Sequence, residues 1–309
     1  APALVGMQLP VVGSSKGRVG KVDRISPEAP VPIVNIQKEE SRLGGASNVA
    51  NNIVSLGGHS LLCGVIGHDL FGKEIERISR HKNIDTFLLK TSSPTITKAR
   101  IIGGKQQIVR VDYEDKSELN ADNKKLFRDT ISRILPEYDI LVISDYGKGL
   151  ISEDLCRYLI KLAHKYDKKV IIDPKGKNWE KYSGADIVTP NVKELSDIVG
   201  YTVPNTDRAI EKAAREAITN NHLTALLVTR SDKGMSLIGP IPPIHIPTHS
   251  EEVFDVSGAG DTVVATLGLC LAAGFEISEA MRTANIAAGI VVKKVGTATL
   301  TIEELVQQK

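Results

Sequence analysis

The middle of the chain alternates short β-branched runs with segments of helical periodicity. Strands are predicted within DILVISDYGKG (139–149), KKVIIDPKG (168–176), ADIVTPN (185–191) and TALLVTR (224–230). Helices are predicted at 152–166 with Ser152 as the N-cap, at 193–200 ending at Gly200, and at 207–221. Strands separated by helices of this length form right-handed βαβ units, so the pattern predicts a mostly parallel sheet with helices on both faces.

Two segments interrupt this alternation and contain no helical pattern. Residues 29–45 are extended and flanked by prolines, and residues 95–114 are two β runs joined at Gly103-Gly104-Lys105, a sequence typical of a hairpin. We expect about 26–43 and 95–114 to form a small β-sheet lid. The prediction is therefore a single α/β domain over 1–309 that carries a lid.

Composition and charge exclude several classes of protein. The chain has 39 Lys and Arg against 37 Asp and Glu, a net charge of +2 and no dense basic stripe, so we expect no nucleic-acid partner. No apolar stretch approaches the roughly 18 residues of a membrane span, and the N-terminus lacks signal-peptide design, so we expect a cytoplasmic protein with no membrane partner. Cys63, Cys156 and Cys270 are isolated, and we expect buried free thiols.

The segment DVSGAGDTVVATLG (255–268) places small residues before an acid at a predicted helix start. Gly258, Ala259 and Gly260 would expose unpaired backbone N–H groups, to which an oxyanion or phosphate can bind directly. Asp261 would then take the proton of an attacking hydroxyl. The alternative is a capping Asp in a glycine turn, and the short pattern by itself fits both.

The segment LGGASNVANNIVSLGG (43–58) places an Asn-rich helix between two glycine pairs. Gly44 and Gly45 would let a ligand approach the backbone. Asn48 both donates and accepts hydrogen bonds, which suits sugar hydroxyls. The alternative is a capped helix with glycines at its ends.

Two loops follow predicted strands at the edge of the sheet where open α/β proteins bind ligands. In TPNVKEL, Asn191 and Glu194 share one helix face, and Glu194 would hold a hydrated Mg²⁺. A capping box formed by the same pair is the alternative. In VTRSDKGM, the residues Thr229, Arg230 and Gly234 would pass beneath a nucleotide. No Walker A, protein-kinase or dinucleotide fingerprint competes with these loops.

The two glycine-rich segments together resemble the signatures of ribokinase-like carbohydrate kinases. Further segments are similar to heptose 7-phosphate kinases, the kinase module of ADP-heptose synthesis: RISPEAPVPIV (24–34), SDYGKG (144–149), IIDPKG (171–176), TPNVKEL (189–195) and IPTHSEEVFDVSGAGDT (246–262). The resemblance runs from about Val22 to Ala298. It implies a three-layer α/β/α core with a β-lid, and lid-to-lid homodimers that cover the lid's strand edges.

The resemblance also implies a reaction, in which ATP with Mg²⁺ phosphorylates the C1 hydroxyl of D-glycero-D-manno-heptose 7-phosphate. The implied roles are Asp261 as base, Gly258–Gly260 as anion hole, Asn191, Val192, Lys193 and Glu194 as nucleotide and magnesium segment, Asn285 beside the adenine pocket, and Gly44, Gly45 and Asn48 facing the sugar. For the 7-phosphate the first candidate is Arg110, followed by Lys98, Arg100, Lys148 and Lys175. Asp112 and Asp145 are candidates for sugar hydroxyls, although Asp112 equally suits a pair with a base, and each cation equally suits solvated charge.

One departure concerns the loop after the first strand. The family has Gly-Asp there, whereas this chain has Gly13-Ser14-Ser15-Lys16 and no acid before Asp23. A changed substrate, a weakened activity or a missing stretch would each explain it. The chain also lacks the nucleotidyltransferase module of bifunctional relatives, so we expect a stand-alone kinase or an excised domain. Kinases of other sugars and a catalytically silent sugar-phosphate sensor are the alternative functions.

Overall fold

The computed structural model describes residues 4–10, 12–104, 106–115, 117–249 and 253–308, with the backbone alone for 4–10, 12–16 and 23. Lys105 of the predicted hairpin and residues 250–252 of the C-terminal motif lie outside the described residues, as do the side chains of Gly13-Ser14-Ser15-Lys16 and Asp23.

The strands, in chain order, are β1 (Leu4–Pro10), β2 (Val12–Ile25), β3 (Pro32–Gly45), β4 (His59–Gly67), β5 (Asp85–Thr91), β6 (Thr97–Gly103), β7 (Gln106–Tyr113), β8 (Ile140–Ser144), β9 (Lys169–Asp173), β10 (Ile187–Val188), β11 (Leu226–Thr229), β12 (Met235–Ile238) and β13 (Ile244–Ile246). The helices are α1 (Ala46–Ser55), α2 (Leu70–His81), α3 (Ala121–Ile134), α4 (Glu153–Lys165), α5 (Val192–Val199), α6 (Asp207–Asn221), α7 (Ala259–Ala272), α8 (Ile277–Val291) and α9 (Ile302–Val306).

The larger sheet has the strand order β13-β12-β11-β10-β9-β8-β1-β4-β5. Neighbouring strands from β11 to β5 are parallel, and β12 and β13 are added antiparallel. The mostly parallel sheet predicted from the alternating pattern is therefore confirmed. The carboxyl ends of the parallel strands meet at one edge, which brings the loops after β8, β9, β10 and β11 together.

Helices cover both faces of this sheet. Along β9, Val170 and Ile172 pack into one hydrophobic core with residues of α3, α4 and α6, whereas Ile171 packs into a second core with α1, α7 and α8. The side chains of a strand alternate between faces, so an uninterrupted apolar strand supplies both cores. The result is the three-layer α/β/α arrangement that was expected.

The smaller sheet has the order β3-β2-β6-β7. It contains both segments predicted to form a lid, and it also contains β2, which the sequence analysis did not predict. β2 pairs antiparallel with β3 from Val12 opposite Gly45 and parallel with β6 from Ser14 opposite Thr97. Gly, Ser and Lys interrupt the alternation of apolar and polar residues that would mark β2 as a strand. The strand forms because β2 pairs with β3 and β6.

Element ends follow their local signals. α6 spans the predicted 207–221, and α5 ends at Gly200, whose φ of 82° is the left-handed conformation of a glycine C-cap. Ser152 is the N-cap residue of α4, although its hydroxyl donates to the Asp154 carboxylate rather than capping a backbone N–H.

Two expectations from composition concern cysteines and membrane spans. Cys63 and Cys156 are free thiols, and all three cysteines, including Cys270, are buried. Across the described ranges, no helix combines the length and apolar character that crossing a bilayer requires.

Candidate active site

The start of α7 is the centre of the site. Gly258, the residue before this helix, has a φ of 83°, which favours glycine. A Cβ on Gly258 would lie 2.9 Å from Nδ2 of Asn48 on α1, so a side chain there would force the two apart. A Cβ on Gly260 would meet no atom within 4 Å, so the space beside it is open. Gly258 thus permits close packing, and Gly260 permits close approach of a ligand.

Asp261 lies in the first turn of α7 and is 8% exposed. Its Oδ2 accepts a hydrogen bond from Nδ2 of Asn48 at 2.7 Å, and its Oδ1 accepts one from the Tyr146 hydroxyl at 3.0 Å. Burial raises the pKa of Asp261 to about 6, against both hydrogen bonds and the charge of Lys98, which lower it. A carboxyl group with a pKa near neutrality is suited to accept a proton at physiological pH.

A cavity of about 260 Å³ lies against this carboxylate. Its lining consists of Tyr146, Asp173, Lys175, Thr189, Asn191, Glu194, Thr229, Gly258, Gly260, Asp261, Val263 and Val264. The structure therefore brings the predicted base and the predicted magnesium residue, Asp261 and Glu194, to one small space.

Two further carboxylates face this cavity. Oε1 of Glu194 accepts from Lys175 Nζ at 3.0 Å, and Oε2 accepts from the Asn191 N–H at 3.1 Å. Asn191 Oδ1 accepts in return from the Glu194 N–H, so the capping box considered from the sequence is present. Burial, then the charges of Asp261 and Glu194, raise the pKa of Asp173 well above its usual range.

This acidic lining fits a hydrated magnesium ion. The charges of Asp261 and Glu194 raise the pKa of Asp173, and a cation bound nearby would offset this repulsion. Within the described part of the chain, no three His, Cys, Asp or Glu side chains converge closely enough to hold an ion by themselves. Mg²⁺ usually takes one or two protein carboxylates and completes its octahedron with waters and phosphate oxygens, which suits Glu194.

A second cavity, of about 650 Å³, shares Asn191, Thr229, Gly260 and Val263 with the first. It brings together the residues predicted for the nucleotide other than Glu194, namely Asn191, Val192, Lys193, Thr229, Arg230, Gly234 and Asn285. Ala259 also lines it, together with apolar side chains such as Val253, Val256 and Val292. Its volume and mixed lining suit a ligand of nucleotide size.

Arg230 and Asn285, which line the larger cavity, form hydrogen bonds with other residues of the protein. Arg230 is 3% exposed, and its guanidinium contacts Asp207 Oδ1 at 2.5 Å, Ser236 Oγ at 2.9 Å and Asn205 Oδ1 at 2.9 Å. Nδ2 of Asn285 donates to the Pro247 carbonyl at 2.7 Å. Arg230 therefore supports the cavity wall.

The candidate phosphate ligands lie mainly on the smaller sheet. Lys98 on β6 is opposite Asp112 on β7, and Arg100 is opposite Arg110. Arg110 forms a two-bond ion pair with Asp112, at 2.9 and 3.0 Å, so Asp112 has the partner that the sequence analysis gave as its alternative. Lys98 has no salt bridge within the described residues; burial, then the charge of Arg110, lowers its pKa.

The other two candidate cations, Lys148 and Lys175, lie in different places. Lys148 pairs with Glu114, and its charge also lowers the pKa of Lys98. Lys175, a reserve candidate for the sugar phosphate, lies instead beside Glu194 in the small cavity. Arg100, Arg110 and Lys148 therefore lie close enough to Lys98 for their charges to lower its pKa, whereas Lys175 lines the small cavity.

Asp145 forms hydrogen bonds within the protein, and the first glycine pair joins a strand to a helix. Asp145 is 3% exposed, and its carboxylate accepts from Lys181, from the Tyr182 hydroxyl at 2.7 Å and from the Gly147 N–H at 2.7 Å. Its contact with a sugar hydroxyl stays a prediction. Gly44 and Gly45 end β3 directly before α1, with Gly45 at a φ of 61°.

Among the residues of the small cavity that sequence reasoning missed, two carry ionisable side chains. Tyr146 and Asp173 belong to SDYGKG and IIDPKG, which were read as motifs without a role for either side chain. Both follow or end parallel strands that are neighbours, β8 and β9. Attention to every polar residue at the carboxyl edge of the sheet would have found them.

The buried carboxylate of Asp261 lines a small cavity that adjoins a larger one, at the carboxyl edge of a mostly parallel sheet. This arrangement is typical of an enzyme that transfers a group onto a small hydroxyl compound. The profile of the pfkB family of carbohydrate kinases matches residues 7–304, and the chain belongs to that family. It is an ATP-dependent carbohydrate kinase.

Relatives and solved structures agree with this assignment. The chain is 44% identical over 290 residues to the bifunctional protein HldE of Paramagnetospirillum magneticum and 45% identical over 288 residues to that of Haemophilus influenzae. These alignments cover 93% of the chain but 59% of either relative, so the chain spans a little over half their length.

Solved structures share the fold at low identity. Escherichia coli phosphofructokinase-2, in complex with substrates and products, superposes with a TM-score of 0.78 at 19% identity, covering 98% of this chain and 97% of that one. Arabidopsis thaliana ribokinase, complexed with ribose and ATP, superposes with a TM-score of 0.76 at 19% identity, covering 99% and 98%.

Proposed function

We propose that the chain transfers the γ-phosphoryl group of ATP, with Mg²⁺, to the C1 hydroxyl of D-glycero-D-manno-heptose 7-phosphate. The product would be the 1,7-bisphosphate, used for ADP-heptose and lipopolysaccharide core synthesis. The observation that carries the proposal is Asp261, a buried carboxylate with a pKa of about 6 that lines the small cavity beside the open glycine turn. The heptose motifs and the similarity to the two HldE proteins support the substrate.

Different residues of the chain would carry out different parts of this reaction. Asp261 would accept the proton of the sugar hydroxyl, and the N–H groups of Gly258 and Gly260 would stabilise charge on the phosphoryl group. The Ala259 N–H, expected to be unpaired as well, donates instead to the Val256 carbonyl at 3.2 Å. The larger cavity would hold the nucleotide, and Glu194 would hold hydrated Mg²⁺. The ion neutralises charge on the phosphates when bound. Most of the rate then comes from positioning and electrostatic stabilisation.

The sugar phosphate would bind where the cations of the smaller sheet converge. Lys98 is the cation whose charge acts on Asp261, and the charges of Arg100, Arg110 and Lys148 act on Lys98. Like charges gathered beside a catalytic carboxylate favour an anionic group on the substrate. This arrangement supports a phosphorylated sugar over ribose or a nucleoside.

The experiment is a substrate panel with coupled detection of ADP. Heptose 7-phosphate, fructose 1-phosphate, ribose and a nucleoside are each supplied with ATP and Mg²⁺. We expect the highest kcat/KM for heptose 7-phosphate. Higher kcat/KM for another compound would overturn the substrate, and binding of heptose phosphate without ADP release would identify a silent sensor.

We also propose a homodimer through the smaller sheet. Apolar side chains at least about a third exposed lie on its strands: Val19, Val22, Ile25, Ile36, Ile108, Val109 and Val111. The edge strand β7 is open along its length, and proteins normally cover such edges. We expect a dimeric mass in solution and a monomer for Val109→Lys; a monomeric wild type would refute the dimer. The cytoplasmic location stays a prediction.

A further inference from the structure

Tyr146 stands on the loop between β8 and α4 and faces the catalytic carboxylate. Its hydroxyl donates to Oδ1 of Asp261 at 3.0 Å, while Asn48 on α1 donates to Oδ2 at 2.7 Å. Each oxygen of the carboxylate therefore has its own donor, and the donors come from different elements. Tyr146 also lines the small cavity that contains Asp261.

The loop that carries Tyr146 is held in place by hydrogen bonds of the preceding residue. The neighbouring Asp145 accepts from the Gly147 N–H at 2.7 Å, from the Tyr182 hydroxyl at 2.7 Å and from Lys181. The backbone N–H of Asp145 donates to the Asp173 carbonyl at 2.9 Å. Because Asp145 is buried and held by these groups, the backbone that carries the next residue, Tyr146, is anchored beside the cavity.

We propose that Tyr146 is a positioning residue, whose hydroxyl holds the Asp261 carboxylate in place and keeps it ionised for proton transfer. The proposal rests on Asp261 being the base of the proposed function. Asn48 alone would leave Oδ1 without a protein donor among the described residues, and the carboxylate would then be held at one oxygen. The two donors together restrict its rotation.

The electrostatic surroundings of this pair favour the same role. Burial raises the pKa of Asp261, and the hydrogen bonds from Asn48 and Tyr146, with the charge of Lys98, oppose that rise. Burial, then the charges of Asp261, Asp173 and Glu194, raise the pKa of Tyr146 well above its usual range. Tyr146 consequently stays protonated at neutral pH and remains a hydrogen-bond donor there.

The test is the pH profile of Tyr146→Phe. We expect the acid limb of kcat/KM to move to higher pH by about half to one unit, because loss of one donor favours protonated Asp261. At pH 8.5 we expect kcat to fall on the order of tenfold through lost positioning, with the Kd of ATP unchanged. An acid limb that does not move would overturn the proposal.

Tyr201→Phe is the matched control. The Tyr201 hydroxyl donates to Glu216 at 3.0 Å, the same length as the Tyr146 bond, but this pair is exposed and outside both cavities. Tyr201→Phe removes a tyrosine hydroxyl and its hydrogen bond to a carboxylate, as Tyr146→Phe does. We expect a wild-type pH profile from this variant.

The experiment separates failure of this inference from failure of the proposed function. The profile is measured with whichever sugar the panel shows to be turned over, so a different substrate leaves the test intact. Retained turnover in Asp261→Asn would reject the base itself. If no sugar is turned over, the unfolding free energy is compared at pH 4 and pH 8. Tyr146→Phe should then be more destabilising at pH 8 than at pH 4, and this difference should vanish in an Asp261→Asn background; a pH-independent cost would overturn the proposal.

Discussion

Asn48 and Asp261 are 213 positions apart in the chain, yet Nδ2 of one lies 2.7 Å from Oδ2 of the other. The contact joins the Asn-rich helix to the glycine turn, the two segments on which the family resemblance depends. Asn48 is fully buried, and its Oδ1 has no hydrogen-bond partner within the described residues. Its amide is therefore oriented by Asp261, and the predicted contact of Asn48 with a sugar hydroxyl stays a prediction.

Replacing the base should remove turnover while leaving nucleotide binding intact. For Asp261→Asn we expect kcat to fall on the order of a thousandfold, because an amide cannot accept the hydroxyl proton. The larger cavity is lined by other residues, so the Kd of ATP from calorimetry should change little. Asp129→Asn, exposed on α3 and outside both cavities, is the control and should keep wild-type kcat. Substantial turnover in Asp261→Asn would reject the assignment.

The pKa of Asp261 also predicts a pH dependence of stability. This pKa is raised from 3.8 to about 6, so the folded state binds the proton more tightly than the unfolded state does. The stabilising contribution is complete below pH 3.8 and is lost as pH rises through 6, a difference of about 3 kcal/mol. Asp261→Asn should therefore gain stability relative to wild type between pH 4 and pH 8, measured by urea unfolding. A gain that does not depend on pH would contradict the raised pKa.

Two glycines of one turn should respond differently to alanine. Gly258→Ala should destabilise the fold by about 1–3 kcal/mol, because φ is 83° and the new Cβ would meet Asn48 Nδ2 at 2.9 Å. Gly260→Ala should keep wild-type stability, since its Cβ meets nothing, but should lower kcat by placing a methyl group where the phosphoryl group passes. Thermal unfolding and initial rates measure both. Equal stability losses would contradict this division.

The sequence predicts the elements whose signals are local. The periodicity of 207–221 and the glycine at Gly200 are sufficient for α6 and the end of α5. β2 was missed because its order comes from pairing with β3 and β6 rather than from its own pattern. The role of Tyr146 was missed for a related reason, since its contact spans 115 positions and depends on how the sheet edge folds.

Arg230 should matter for stability more than for ATP binding. It is 3% exposed, and its guanidinium bonds Asp207, Ser236 and Asn205, so Arg230→Met would remove all three of these contacts. We expect a cost of about 1–3 kcal/mol in urea unfolding from the lost hydrogen bonds, because Asp207 is 61% exposed and water can solvate its carboxylate. The Kd of ATP for the folded fraction should change less than tenfold. A larger loss of ATP affinity with unchanged stability would make Arg230 a nucleotide ligand instead.

Among the candidate phosphate ligands, Lys98 should contribute more than Arg110. Arg110 is 51% exposed and already paired with Asp112, whereas Lys98 is partly buried and has no salt bridge in the described part of the chain. For Lys98→Met we expect KM for the sugar phosphate to rise at least about tenfold, the loss of one charged hydrogen bond. Arg110→Met should raise it less.

The same pair of variants distinguishes phosphate binding from an indirect effect on the base. Lys98 lowers the pKa of Asp261, so rates are measured at pH 8.5, where that carboxyl is ionised in every variant. An unphosphorylated sugar should show the same KM with wild type and Lys98→Met. Arg77→Ala, an exposed cation on α2 paired with Glu74, is the control for net charge. If both variants raise KM equally for the phosphorylated and unphosphorylated sugars, Lys98 acts on the shape of the site and the phosphate lies elsewhere.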